Sequence, residues 1–420
     1  MGIQFYARMA VEEQLIIEVG RRVQLTATEQ ITNRDRYGAL SEFVDGPGSV
    51  LEDRVTRIDP SGSNAIGASI RSINNDTIPD IDTVLEIDYP PGVTPEQALS
   101  LVKDAIVRGG NVTDETYRGC DVEIHSRCVT VTYADGVQVD LMPVQLVRDD
   151  DSAPVVELFH YRVDDNGVVE SYTKLVSPRG FTHAFKIALA REDNAALRET
   201  LARSYGSRML LADKADVAPY PEPDEYEYKS PRIVTIQLLK RFRDVAYCWP
   251  SRKGLRKPPS VVIAALAIDA PFLRTGSLFN ELVHVARFIR NHLLAHTREG
   301  RIIDVRNPGF HDDVLTDRWP LALDPQALFC RDLTRLLAEL EDLRQTDDPN
   351  EQRRIMEALF GETLGKDALK AVLERKEEAR KMGLLHITPS GGTVIASTVA
   401  TGSSTTAISA TPRFGGESDS

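Results

Sequence analysis

The spacing of apolar residues changes several times along this chain. In residues 7–33, around RMAVEEQLIIEVGRRVQL, apolar positions recur every three or four residues, which predicts an amphipathic helix. Residues 37–58 form a second segment leading to a glycine turn. The period then falls to two, and DTVLEIDYP reads as a strand. TPEQALSLVKDAIVRGG returns to the helical period, with Thr94 as its cap, Glu96 close behind and Gly109-Gly110 as its stop. DVEIHSRCVTVTYADGVQVDLMPVQLV alternates through two strands joined at the Asp135-Gly136 turn.

From about residue 178 the pattern is helical, in THAFKIALAREDNAALRETLARSYG, SPRIVTIQLLKRFRDVAYCW, PPSVVIAALAIDA, SLFNELVHVARFIRNHLLAH and PQALFCRDLTRLLAELEDLRQ. The proline-rich, acidic stretch 212–228 interrupts this run as a loop. Residues 387–420 are small, polar and nearly uncharged, a composition that buries no core and reads as a flexible tail. The expected architecture is therefore α+β: a mixed-sheet core with N-terminal helices over 1–175, a helical lobe over 176–386, and the Gly/Ser/Thr-rich tail.

Composition narrows the class. Apolar residues make up 42% and charged residues 27% of 420, as in ordinary globular proteins. No apolar run reaches the roughly 18–20 residues of a membrane span. The first twenty residues contain acids where a signal peptide needs an apolar core, and Tyr6 stands where myristoylation needs Ser or Thr. Cys120, Cys128, Cys248 and Cys330 form no CxxC pair, so a cytoplasmic protein without membrane attachment is expected. A net charge of −13 argues against a partner of long nucleic acid, yet is compatible with nucleotides held by metal ions and a few local cations.

Three aspartates carry the candidate chemistry. Asp80 and Asp82 are two positions apart on one strand and so point to one side. Side by side they repel unless a cation lies between them. Asp140 closes VQVD on another strand. Carboxylates converging from adjacent strands can hold two Mg²⁺ ions about 3.5–4 Å apart, the arrangement that phosphoryl and nucleotidyl transfer require. Gly62-Ser63 before a helix-like run gives backbone able to approach phosphates closely. Each piece alone is common; their order makes the signal.

The run GSNAIGASI…DIDTVLEI…VQVDLMPV resembles the signature of polymerase-β-type nucleotidyltransferases. Within them it is most similar to the bacterial cGAS/DncV-like nucleotidyltransferases (CD-NTases) of CBASS anti-phage systems. The likeness continues through SPRIVTIQLLKRFRDVAYCW, RKPPSVVIAALA and VRNPGFHDDVLTDRW, and so spans roughly 50–330. Ser69 stands near the place where that family usually has Thr, and would supply the hydroxyl. The resemblance implies a two-lobed polymerase-β-like fold with an oligoadenylate-synthase-like helical lobe. It implies that Asp80, Asp82 and Asp140 bind two Mg²⁺, with Mn²⁺ as a substitute, and that Asp140 lies nearest the attacking hydroxyl. It further implies that Gly62, Ser63, Lys240 and Ser260 bind the triphosphate of an NTP. The implied activity is synthesis of a cyclic di- or trinucleotide messenger with release of pyrophosphate. Rival readings are a synthase of linear oligonucleotides, a transferase adding nucleotides to RNA, and a nucleotide-sensing scaffold.

Other chemical side chains read as structural. His292 and His296 are four apart on an amphipathic helix with no accompanying acid. His125, Cys120 and Cys128 read as strand residues, and Asn307-Pro308 and Trp319 as anchors for the last helices; SRKGLRK reads as a solvated basic loop whose place just before Ser260 also allows it to steer phosphate. The tail is a candidate partner segment. The resemblance implies a HORMA-type regulator or a ubiquitin-like conjugation machinery, although the Gly-Gly of RFGGESDS is not terminal. GGTVIASTVATG is β-prone and suited to capture by strand addition.

Overall fold

A computed structural model of the chain describes residues 9–73, 81–108, 120–164, 166–192, 195, 197–198, 201, 229–274 and 276–382, with the backbone of 385–387, 393–395 and 406–407. The proline-rich 212–228 stretch, Gly109-Gly110 and Asp80 lie outside these residues.

The first lobe is a seven-stranded sheet: β1 Val55–Pro60, β2 Ile81–Ile87, β3 Asp121–Ile124, β4 Val129–Thr132, β5 Gln138–Arg148, β6 Val155–Val163 and β7 Val169–Val176. The strand order is β1-β2-β5-β4-β3, and β6 with β7 extends from the far half of β5. Every pairing is antiparallel except β2 with β5. β2 is buried at six of its seven positions, as a central strand covered on both faces should be. Ile81, Leu85 and Ile87 pack with Leu99 and Val102 of the helix Pro95–Val107 in a core beneath the sheet. That helix is capped by Thr94 in a reciprocal box with Gln97 rather than Glu96, because the third helical position falls on Gln97. The stretch expected as two strands forms three, since β3 also folds back on β4 around His125–Cys128.

Helices α1 Val11–Val23 and α2 Ala27–Asp45 replace the single helix expected over 7–33; Thr26 ends the first and caps the second with Glu29. α3 is the single turn Gly62–Ala65, α4 is the Pro95–Val107 helix, and α5 is Pro178–Ala190. The helical lobe continues with α6 Pro231–Tyr247, α7 Ser260–Asp269, α8 Leu278–Arg298, α9 Leu323–Gln345, α10 Pro349–Phe360 and α11 Glu362–Lys381. α1, expected with the sheet core, is instead packed in the helical core through Leu15, Ile16, Ile17 and Val19. Two buried acids explain this. Glu13 accepts from Ser277 Oγ and the Leu278 and Phe279 amides at 2.6–2.9 Å, capping α8 from another helix. Glu18 pairs with Arg21, Arg22 and, from α11, Arg375 at 2.9 Å. Partners more than 250 residues away leave no local pattern in the sequence.

A polar seam joins the lobes. Arg127 and Lys174 reach from the sheet to Asp317 at 2.7 and 3.2 Å, and Lys174 also reaches Asp313 at 3.1 Å. Asn307 Nδ2 donates to the Ser177 carbonyl at 2.9 Å, on the strand-to-helix crossing between lobes. Gly309 lies against the Gly180 carbonyl so closely that a Cβ there would overlap it. From the end of the helical lobe into the segment expected as a tail, the described backbone forms three short antiparallel strands, 385–387 with 393–395 and 406–407, the β-branched Thr393, Val394 and Ile395 supplying one of them. The remainder of 388–420 lies outside the described residues.

α6, which carries Lys240, is fixed by a fully buried ion pair. Arg232 Nε meets Glu281 Oε1 at 2.6 Å, and its remaining donors reach the carbonyls of Ala267, Ala270 and Pro271. Arg232→Ala strands Glu281 in an apolar interior and is expected to cost about 3–5 kcal/mol. Urea denaturation checks this, and a loss below about 1 kcal/mol would contradict the buried pairing.

Candidate active site

The site begins with strand register. β2 and β5 run parallel with Asp82 paired opposite Asp140, so both carboxylates leave the same face of the sheet one strand spacing apart. On the other side of β5, Thr130 is paired with Asp140 and its hydroxyl donates to Asp140 Oδ1 at 2.5 Å. Both aspartates are half-buried and line the same cavity. Asp80 lies outside the described residues, so the geometry concerns Asp82 and Asp140 alone.

The glycine-serine turn is tied to this strand. The Ser61 amide donates to the Asp82 carbonyl at 2.8 Å, and the Ala68 amide closes the loop on the Ser63 carbonyl at 2.8 Å. Gly62 has φ +56°, and a Cβ on it would collide with the Asp82 carboxylate. Both the conformation and the approach call for glycine. Ser69, singled out for its hydroxyl, spends that hydroxyl on Asn64 Oδ1 and still lines the cavity.

From the helical lobe Lys240 reaches across to this turn. Its ammonium donates to Ser63 Oγ and to the Ala68 carbonyl, each at 2.7 Å, and the residue is 4% exposed. Burial, with Arg243 and Lys257 nearby, pushes its pKa down to about 7, against the opposing pull of Asp244 and Asp82. Ser260 opens α7 and accepts from Arg243 Nη1 at 3.1 Å. Gly62, Ser63, Asp82, Asp140, Lys240 and Ser260 all line one cavity of about 830 Å³ between the lobes, at the upper end of the range for ligand sites.

Several lining side chains escaped the sequence reading. Arg243 lies one helical turn beyond Lys240 and pairs with Asp244 at 2.8 Å; Lys257, from the basic loop, binds the same carboxylate at 2.8 Å. The helical spacing from Lys240 was the available signal for Arg243. Arg127, Lys174, Arg318 and Asp317 also line the cavity; Arg318 and Asp317 fall within VRNPGFHDDVLTDRW but were given no role there, and no local pattern announced Arg127 or Lys174. Elsewhere in the basic loop Arg252 is buried in a bidentate pair with Asp332, at 2.7 and 3.2 Å.

The residues read as structural are placed as follows. Burial, reinforced by Asp140 and Asp82, raises the Cys128 thiol to about 12, which leaves it a poor nucleophile in the cavity wall. His125 lines a second cavity of about 690 Å³ that meets the first at Arg127, Cys128, Gln138, Asp140 and Arg318. His296 Nδ1 engages the His292 carbonyl at 3.0 Å. Trp319 is buried edge-on against Phe329. Among the described residues no three His, Cys, Asp or Glu side chains cluster for a metal ion, and no helix is long and apolar enough to cross a membrane.

A polymerase-β-like mixed sheet facing a helical lobe, with paired aspartates beside a glycine-serine turn, defines a two-lobed nucleotidyltransferase. Residues 9–156 match the Second Messenger Oligonucleotide or Dinucleotide Synthetase domain. The chain is 29% identical over 387 residues to the cyclic dinucleotide synthase CdnG of Bradyrhizobium diazoefficiens, covering 90% of this chain and 88% of that protein. It is 22% identical to a c-di-GMP synthase of Roseivirga ehrenbergii, covering 89% and 90% of the two chains. The solved structure of the Bradyrhizobium CD-NTase CdnG in complex with GTP superposes with a TM-score of 0.65 at 27% identity, over 85% of this chain and 97% of that one. Over its synthetase domain and along most of its length the chain is thus similar to the bacterial cGAS/DncV-like nucleotidyltransferases.

Gly62→Ala puts a methyl group into the Asp82 carboxylate at a left-handed backbone position. The expected cost is about 1–3 kcal/mol by chemical denaturation, with the Asp82 side chain displaced in a crystal structure of the variant. Unchanged stability with Asp82 in place would refute the close approach.

Proposed function

We propose that this chain joins nucleoside triphosphates into a cyclic di- or trinucleotide and releases pyrophosphate. The observation that carries the reading is the register pairing of Asp82 with Asp140 at the meeting of two cavities, the larger of which also holds Gly62, Ser63 and Lys240. Two cavities suit two nucleotides, one supplying an activated phosphate and one a hydroxyl. The relatives at 29% and 22% identity, named as cyclic dinucleotide synthases, support the same reaction class.

The carboxylates fit a divalent cation: they are hard oxygen donors on one sheet face, one strand spacing apart, and half-buried. In this reading Asp82 and Asp140, joined by Asp80, would hold two Mg²⁺ ions, which supply charge neutralisation at the phosphates and a lowered pKa at the attacking hydroxyl. Around them the protein's own groups position the reactants. Gly62 lets backbone approach the donor's triphosphate, and Ser63, Lys240 and Ser260 offer it a hydroxyl, a cation and a second hydroxyl. A ribose hydroxyl oxygen, placed beside Asp140, bonds to the α-phosphorus of the other nucleotide. The bond from that phosphorus to the bridging oxygen of pyrophosphate breaks in line, and the hydroxyl proton passes to Asp140 or to water. Repetition within the linear product closes the ring. The lobes correspond to 1–175 and 176–386 with α1 reassigned to the second. On the resemblance alone the reading extends to a cytoplasmic messenger synthase of CBASS anti-phage defence.

Asp140→Asn keeps the Thr130 contact and removes a carboxylate. It is expected to lower turnover at least about a thousandfold with little change in melting temperature, read as pyrophosphate release and product mass from mixed NTPs. Turnover at the parent rate would end the assignment.

Lys240 supplies a second test. Above pH 7 it is largely neutral, and an arriving triphosphate raises its pKa, so binding takes up a proton between roughly pH 7 and pH 9 and none below about pH 6. Titration calorimetry in buffers of different ionisation enthalpy measures that uptake, and Lys240→Met should abolish it. Uptake that persists in the variant would remove Lys240 from the phosphate site.

A further inference from the structure

Arg127 stands at the neck where the two cavities meet, lining both, and its guanidinium is held from three directions. Nε donates to His160 Nδ1 at 3.2 Å, from β6. Nη2 donates to the Tyr172 hydroxyl at 3.1 Å, from β7, and to Asp317 Oδ2 at 2.7 Å, from the helical lobe. His160 is itself buried, stacked on Tyr172 with ring centres 4.3 Å apart, and turned by Glu170 at 3.4 Å from Nε2. Nη1 alone makes no hydrogen bond to any described residue, although the side chain is 15% exposed. A guanidinium with one fixed edge and one free nitrogen, at a passage also lined by Asp140, is arranged to receive an anion from the cavity.

We propose that Asp317 is a positioning residue that reaches across the lobes to fix Arg127, whose free Nη1 then holds a phosphate of the second nucleotide, or of the linear intermediate, while its hydroxyl faces Asp140. The inference rests on the nucleotidyltransferase reading above. Of the groups that hold Arg127, Asp317 is the one supplied by the helical lobe, so it couples the grip on the substrate to apposition of the lobes. Lys174 shares Asp317 but keeps Asp313 at 3.1 Å and the Val314 carbonyl at 2.7 Å, so its place does not depend on Asp317. Removing Asp317 therefore acts chiefly on Arg127.

The test compares full-length wild type, Asp317→Asn, Arg127→Met and the double variant with GTP, ATP and Mg²⁺. It follows initial rates against NTP concentration and the share of linear product by mass spectrometry. Asp317→Asn is expected to raise KM about tenfold, the loss anticipated when a charge-assisted contact is loosened, with kcat changed less than about threefold. The linear share should rise. The double variant should match Arg127→Met alone in KM and product ratio, a non-additivity that a merely structural carboxylate would not produce. Wild-type KM and product ratio in Asp317→Asn, or losses in the double variant that multiply, overturn the proposal. Should Asp317→Asn fail to fold by its melting curve, Arg127→Lys replaces it: the charge remains but the fork is lost, and an unchanged KM is then the overturning result. A wild type that yields no nucleotide product sinks the enzyme reading itself, a result distinct from any pattern among the variants.

Discussion

Parallel pairing of two strands in an otherwise antiparallel sheet is the constraint on which the site depends. Asp82 and Asp140 are 58 positions apart in the chain and meet because Ile81 aligns with Val139 and Thr83 with Leu141. A slip of one residue would turn one of the two carboxylates into the opposite face and bury it among aliphatic side chains. The register is held by what flanks it. Ile81, Leu85, Val139 and Leu141 are wholly buried, and the Ser61 amide clips the glycine-serine turn to the backbone of Asp82 itself. Packing that specifies the fold thus also specifies the distance between the acids.

Charge across the interlobe cavity is divided. The sheet presents Asp82 and Asp140, while the helical lobe presents Lys240, Arg243 and Lys257, each held by a short hydrogen bond to a serine, a carbonyl or Asp244. A polyanion between them satisfies the cations directly and the acids through divalent ions. Burial has already removed much of Lys240's hold on its proton, so the ligand's charge is what restores it. Electrostatics of this kind favours a filled cavity over an empty one without new contacts in the core.

Local patterns made much of this legible. Alternation over DTVLEI and VQVDLMPV placed Asp82 and Asp140 on apolar strands, and GSN before a short turn marked the loop that the structure folds against Asp82. Lys240 was legible only through resemblance, because nothing in LLKRFRD distinguishes a lysine that crosses to Ser63 from one that snorkels. What remained hidden depends on contacts distant in the chain. α1 was assigned to the sheet core because its partners, Ser277 and Arg375, are far away. Arg127 and Asp317 are 190 positions apart, and although Asp317 falls within VRNPGFHDDVLTDRW, nothing in that run or around Arg127 links the two. The capping partner shifted from Glu96 to Gln97 because helix caps depend on a one-residue phase that composition does not set.

The contact between Gly309 and the Gly180 carbonyl places two main chains of the helical lobe, the turn at 307–310 and the first turn of α5, in touch without a side chain between them. Such a junction works like a flush door jamb: it has no clearance to lose. Any shim wider than a hydrogen atom would lift the 307–310 turn off α5 and loosen the Asn307 grip on the Ser177 carbonyl, at the point where the chain leaves the sheet, while leaving Lys240 and the carboxylates themselves untouched.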